Sequence, residues 1–143
     1  MTVPTEYVKR TVVNSFGISA DAVVVVPHGV PDLVPPSADD VSTMLARFGI
    51  GDRPFVVYPA ITHPHKGHEF LLDVMDRHWG DPDLRLVLLG GAGQADRAIE
   101  AKIAALQLGP RVIRTGRVPA AHRDGLLALA EALVFPSEYE GFG

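Results

Sequence analysis

Four short runs with strand character frame this chain: FVVYPA at 55–60, RLVLLGG at 85–91, RVIRTG at 111–116 and ALVFPS at 132–137. Between them lie stretches with helical spacing. Residues 67–79 set Phe70, Leu71, Val74 and Met75 on one face, residues 95–108 align Ile99, Ile103 and Leu106, and residues 119–132 open on Pro119. Strand and helix in strict alternation predict βαβ units, and therefore an α/β doubly wound parallel sheet with helices on both faces. The usual order of such a sheet is 3-2-1-4 in these four runs, with ALVFPS as an uncovered edge that invites pairing with another chain. Ligands bind at the carboxyl ends of the strands, so attention falls on the loops after Ala60, Gly91, Gly116 and Ser137.

Ahead of this frame, residues 5–16 have helical spacing and Gly17 is a natural stop. AVVVVP at 22–27 reads as a further buried parallel strand. Residues 27–37 (PHGVPDLVPPS) hold four prolines without periodicity and read as a linker. Asp39 or Asp40 is expected to cap a short helix through Phe48, ended by Gly49. The length of 143 residues suits one ordinary domain, burying about two-thirds of its extended surface.

Composition excludes several functions. With no Cys there is no disulfide framework, thiolate nucleophile or Cys-ligated metal. Lys and Arg number 13 against 17 Asp and Glu, a net charge of −4, with the signs interspersed. That leaves no basic stripe for a phosphate backbone and argues against a nucleic-acid partner. No apolar run reaches the ~18 residues of a membrane span, and the N-terminus lacks the apolar core of a signal peptide. The expectation is a soluble, cytoplasmic protein, compatible with a peripheral position at the inner membrane face.

ITHPHKGH at 61–68 holds three His and one of the three Lys in the chain. Lys66 just ahead of a helix start is placed to meet an anion, because the helix N-terminus adds unpaired N–H groups and partial positive charge. A solvated lysine in a polar loop is the alternative. His63, His65 and His68 could suggest a metal site, but the intervening Pro, Lys and Gly hinder a tight cluster and the cation at 66 opposes a dication; no metal is expected. LLGGAG at 88–93 resembles a dinucleotide fingerprint only in part. Asp96 stands where the third Gly belongs, no acid closes the following strand, and a turn for close packing is the preferred reading. PSEYEGFG at 136–143 carries Glu138 and Glu140 and a Gly-Phe-Gly turn. A carboxylate there can accept hydrogen bonds from sugar hydroxyls, and freed backbone N–H groups can bind an oxyanion; two solvated glutamates are the alternative.

VPHGV at 26–30, YPAITHPHKGH at 58–68, LLGGAG, TGRV at 115–118 and PSEYEGFG together resemble the retaining GT-B glycosyltransferases known as glycosyl transferases group 1, or family 4. YPAITHPHKGH is most similar to mannosyltransferase-like members. The resemblance implies two facing Rossmann-like domains, the donor nucleotide sugar held mostly by the C-terminal one and the acceptor, a saccharide or a lipid-linked sugar, by the other. On this view residues 1–30 are the tail of the acceptor-side domain, 31–40 a Pro-rich hinge, and 41–143 a partial, incomplete C-terminal half. Lys66 matches the lysine that neutralises the donor diphosphate. Arg117 and Val118 fall where main chain meets the base. Glu140 matches the first, catalytic glutamate of E-x7-E, with Gly141, Phe142 and Gly143 supplying backbone contacts to sugar and phosphate. No Arg occurs at 58–65, where many members carry one, and His63 or His65 stands in for it. No cofactor or metal is implied. The second glutamate of the motif falls beyond Gly143, so the 143 residues alone are expected to be inactive. The rival expectations are a non-catalytic, self-associating nucleotide-binding module and, third, a dinucleotide-dependent oxidoreductase.

Overall fold

The computed structural model describes residues 1–29 and 37–141. These form two compact units, residues 1–29 with 139–141, and residues 37–138. Residues 31–36 of the Pro-rich hinge expected at 31–40 lie outside the described residues, as does residue 30, while 38–40 already belong to a helix.

In the smaller unit β1 (Thr2–Val3) pairs in parallel with β2 (Val24–Val25), and α1 (Glu6–Phe16) connects them with a 3₁₀ turn at Ala20–Ala22. Thr5 caps α1 by accepting the Val8 N–H at 3.2 Å, and Gly17 ends it in the left-handed region. The valine run departs from expectation. Val23 is buried but Val24 is 56% exposed and Val26 also faces solvent, so only Val24–Val25 is strand. A strand with one neighbour, β1, and cover on one face alternates; it cannot bury both faces.

The larger unit holds a four-stranded sheet made of β3 (Phe55–Tyr58), β4 (Arg85–Leu89), β5 (Val112–Gly116) and β6 (Ala132–Leu133). All pairings are parallel in the order β5-β4-β3-β6, the expected 3-2-1-4. The helices are α2 (Ala38–Arg47), α3 (His68–His78), α4 (Asp96–Ala105) and α5 (Ala120–Leu129). Both faces of the sheet are covered. Tyr58, Leu86 and Leu88 pack with Leu71, Leu72, Met75 and Ile99 of α3 and α4. Phe55, Val57, Val87 and Leu89 pack with Met44 of α2 and Leu126 of α5. β3 and β4 are buried at every position, as their apolar side chains require; the one charged residue, Arg85, donates to the Pro82 carbonyl at 2.8 Å.

Four details correct the sequence reading. The core stripe of α3 is His68, Leu71, Leu72 and Met75, while Phe70 is 62% exposed, so the buried face is rotated from the expected one. Ser37 caps α2, accepting the Asp40 N–H at 3.2 Å and donating its hydroxyl to the Asp40 carboxylate at 2.6 Å; the expected Asp caps lie inside the helix. Pro119 precedes α5 at its N-cap. β6 is not a buried strand: its edge position leaves Ala132 and Leu133 exposed, Leu133 at 54%. No helix among the described residues is long and apolar enough to cross a membrane.

Candidate functional site

The order of the sheet reverses at β3. The chain moves outward through β4 and β5 and then returns to the other side of β3 as β6. A doubly wound sheet places its ligand at such a reversal, because the connections leaving the two neighbouring strands run to opposite faces. Here those connections are the one from β3 to α3 and the segment after β6, and they are tied to each other. The Glu138 N–H donates to the His65 carbonyl at 2.9 Å. The Tyr58 hydroxyl, at the end of β3, donates to the Lys66 carbonyl at 2.6 Å and lies 3.1 Å from Ser137 Oγ. Gly67, at φ +68°, faces the Pro136 main chain so closely that a Cβ would collide with it.

Lys66 ends a 3₁₀ turn (Pro64–Lys66) immediately before α3. Its neighbours His63 and His65 stack with ring centroids 5.9 Å apart and planes 14° from parallel. No group of three or more metal-ligating side chains forms among the described residues. His68 goes the other way, into the core, 2% exposed and packed on the Tyr58 ring at 4.7 Å. Burial lowers its pKa, reinforced by the charges of Arg114 and Lys66. The Ala60 main chain opposes that shift without reaching hydrogen-bonding geometry, and neither ring nitrogen has a partner in such geometry among the described residues.

Beside this reversal, the carboxyl ends of β3, β4 and β5 enclose a cavity of about 390 Å³ lined in part by Ala60, Thr62, Gly90, Arg114, Thr115 and Gly116. Thr62 is its clamp. Its Oγ1 accepts the Gly93 N–H at 2.6 Å and donates to Asp96 Oδ1 at 3.0 Å, while its carbonyl accepts the Ala95 N–H at 2.9 Å. Asp96 in turn pairs with Arg114. The Arg114 hydrogen bond, and after it the Thr62 hydroxyl, hold the Asp96 carboxyl below its ordinary range. Thr115 is the extra residue of a β-bulge, where the register steps from Leu88 opposite Arg114 to Leu89 opposite Gly116. Arg117 and Val118 follow directly, and the Arg117 side chain extends past Gly91. Sequence reasoning missed Thr62, Asp96 and Arg114, whose partnership spans 34 and 18 residues and leaves no local pattern.

Glu140 and Gly141 belong to the smaller unit. The Thr5 hydroxyl donates to the Gly141 carbonyl at 2.9 Å, Gly141 faces Val8, and Tyr139 packs on Tyr7 at 6.0 Å. Phe142 and Gly143 lie outside the described residues. The Gly-rich turn packs closely, as expected, though not against a helix. A Cβ on Gly90 would strike the Ala60 main chain, and one on Gly93 would lie 2.6 Å from the Thr62 carbonyl oxygen.

The glycosyl transferases group 1 family matches residues 42–143. Over its whole length the chain is 29% identical to the GDP-mannose-dependent alpha-(1-6)-phosphatidylinositol monomannoside mannosyltransferase of Mycolicibacterium smegmatis, covering 37% of it. It is 31% identical over 100 residues to alpha-D-kanosaminyltransferase of Streptomyces kanamyceticus, an alignment of 68% of this chain and 25% of that enzyme. Among solved structures, Anabaena HepE in complex with UDP and glucose matches with a TM-score of 0.84 at 19% identity, over 99% of this chain and 38% of HepE. The chain therefore matches between a quarter and about two-fifths of the length of these relatives. By the match over residues 42–143, joined to a parallel Rossmann-like sheet of the GT-B kind, the chain belongs to the glycosyl transferases group 1 family.

Proposed function

We propose that this chain is the donor-binding part of a retaining glycosyltransferase, one that takes a sugar from a nucleotide-diphosphate sugar and passes it to a saccharide or lipid-linked acceptor. The observation that carries the reading is the reversal of the sheet order at β3, with Lys66 on the loop after β3 and Ser137 on the segment after β6, both bonded to Tyr58. Lys66 and the first N–H groups of α3 face the diphosphate and stabilise the charge that builds on it as the glycosidic bond breaks. The main chain of Arg117 and Val118 meets the base, with His63 and His65 beside the phosphates. Glu140 is the catalytic carboxylate near the donor sugar hydroxyls, and Gly141, Phe142 and Gly143 supply main-chain contacts to sugar and phosphate. The protein's part is orientation and charge stabilisation, and no metal is required. The GDP-mannose dependence of the mycobacterial relative and the UDP and glucose held by HepE support a nucleotide-sugar donor. In this scheme residues 1–30 come from the acceptor-side domain, the hinge expected at 31–40 ends where α2 begins at Ala38, and the donor domain runs on to Glu138, residues 139–141 packing with the smaller unit.

The test is calorimetric titration with GDP, UDP and NAD. One nucleoside diphosphate binds, NAD does not, and Lys66→Ala weakens binding about tenfold or more, since a charged hydrogen bond contributes roughly 1.5–3 kcal/mol. Equal affinity in Lys66→Ala removes the lysine from the site. The isolated chain turns over no sugar nucleotide, and detectable transfer would overturn that part of the reading.

A second reading, a self-associating module, is favoured by one observation: β6 ends the sheet with Leu133 exposed and Phe135 after it 43% exposed. Light scattering at high concentration is expected to show dimers that Leu133→Lys returns to monomers. A wild-type chain that stays monomeric sets this reading aside.

A further inference from the structure

We infer that Tyr58 is the positioning residue for the diphosphate end of this site, an inference that rests on the donor-binding reading above. Tyr58 is fully buried, and its ring is held between His68 at 4.7 Å and Phe135 at 5.7 Å. A buried tyrosine needs one partner for its hydroxyl. Among the described residues it meets the Lys66 carbonyl on the loop after β3 and the Ser137 hydroxyl on the segment after β6. The proton inventory gives the bonds a direction. A phenol has one proton, the Lys66 carbonyl can only accept, and so Tyr58 donates to Lys66 and Ser137 donates to Tyr58. The relay runs Ser137 hydroxyl, Tyr58 hydroxyl, Lys66 carbonyl.

The consequence lies in which carbonyl is held. Fixing the Lys66 carbonyl fixes the end of the 3₁₀ turn, and with it the path through left-handed Gly67 into the first turn of α3. The Glu138 N–H grips the His65 carbonyl one residue earlier. The His65 carbonyl is thus tied directly to the segment after β6 and the Lys66 carbonyl through Tyr58, and Gly67, the next residue, lies so close to the Pro136 main chain that a Cβ would collide with it. Tyr58 touches no substrate in this scheme. It sets the height of the Lys66 backbone relative to the N-terminus of α3, and a phosphate bridging the two senses that height directly.

The experiment compares GDP and UDP with guanosine and uridine on the 143-residue chain, by amide chemical-shift titration. In Tyr58→Phe, which keeps the ring packing, the affinity for the preferred nucleoside diphosphate falls about tenfold while that for its nucleoside changes less than about twofold. Ser137→Ala removes one link of the relay from a less buried place, weakens the diphosphate by about two- to threefold, and adds nothing in the double variant, because both act through one bonded chain. The amides of Gly67 and His68 shift on addition of pyrophosphate to wild type and shift less in either variant. A merely structural role would weaken diphosphate and nucleoside in parallel or leave both unchanged, and either result overturns the inference while the donor-binding reading stands. Should Tyr58→Phe not fold, the diphosphate-to-nucleoside ratio of Ser137→Ala decides alone. A wild-type chain that binds no nucleoside diphosphate overturns the donor-binding reading and this inference together.

Discussion

Gly67→Ala lowers the stability of the larger unit by about 2–5 kcal/mol, while Gly49→Ala costs only about 1–2 kcal/mol, although both glycines share the same backbone conformation. Gly67 is at φ +68° and Gly49 at φ +67°, so the intrinsic penalty for placing a Cβ in the left-handed region is the same. The surroundings differ. Nothing approaches the Cβ position at Gly49, whereas at Gly67 the new methyl would collide with the Pro136 carbonyl oxygen and lie 3.2 Å from its carbon. The obstacle is main chain and cannot rotate away, so the β3–α3 loop and the segment after β6 must separate. That separation strains the Glu138–His65 hydrogen bond and the Tyr58–Ser137 contact together. Urea denaturation of the two variants reads the difference. Equal midpoints would falsify the claim that Gly67 is required by close approach as well as by its dihedral angle.

Gly67 also shows where a one-dimensional reading succeeds and where it stops. The position of Lys66 ahead of a helix was legible because apolar periodicity locates FVVY and the following helix, and the lysine sits between them. The sheet order was legible for the same reason, since four apolar runs joined by helices leave few topologies once crossovers are right-handed. What failed depended on partners distant in sequence. β1 is two residues long, too short for any periodic signal, and without knowing how little it covers, the valine run looks buried. The phase of α3 turned on whether Phe70 or Leu72 faces the sheet, and HEFLLDVM has apolar residues on adjoining faces that periodicity alone ranks poorly. Ser37 and Asp40 did carry a local signature, a hydroxyl three residues before a carboxylate, that identifies the true cap. The Thr62–Asp96–Arg114 group carried none: each is an ordinary polar residue until three strand ends converge.

The same convergence decides what the glycines of LLGGAG are for, and a pair of variants separates two roles that the motif alone confounds. Gly90→Ala is expected to destabilise the fold by about 1–3 kcal/mol or more, because its methyl would strike the Ala60 carbonyl oxygen and lie 2.6 Å from the carbonyl carbon and 3.0 Å from the Ile61 nitrogen. All three atoms are main chain at the end of β3, where the Thr62 N–H also donates to the Gly91 carbonyl at 3.3 Å, so β3 and β4 cannot separate without opening the cavity between them. Gly91→Ala is expected to stay within about 0.5 kcal/mol of wild type, since the three atoms nearest its methyl all belong to the Arg117 side chain, at 3.4–3.8 Å, and a methyl there also restricts the unfolded chain. Urea midpoints for both variants check the packing, and titration with the preferred nucleoside diphosphate checks the rest. If Gly91→Ala keeps its stability but loses the ligand, the turn cradles phosphate directly. If it keeps both while Gly90→Ala loses both, the glycines serve the close approach of two strand ends, and the anion is left to Lys66 and the first turn of α3.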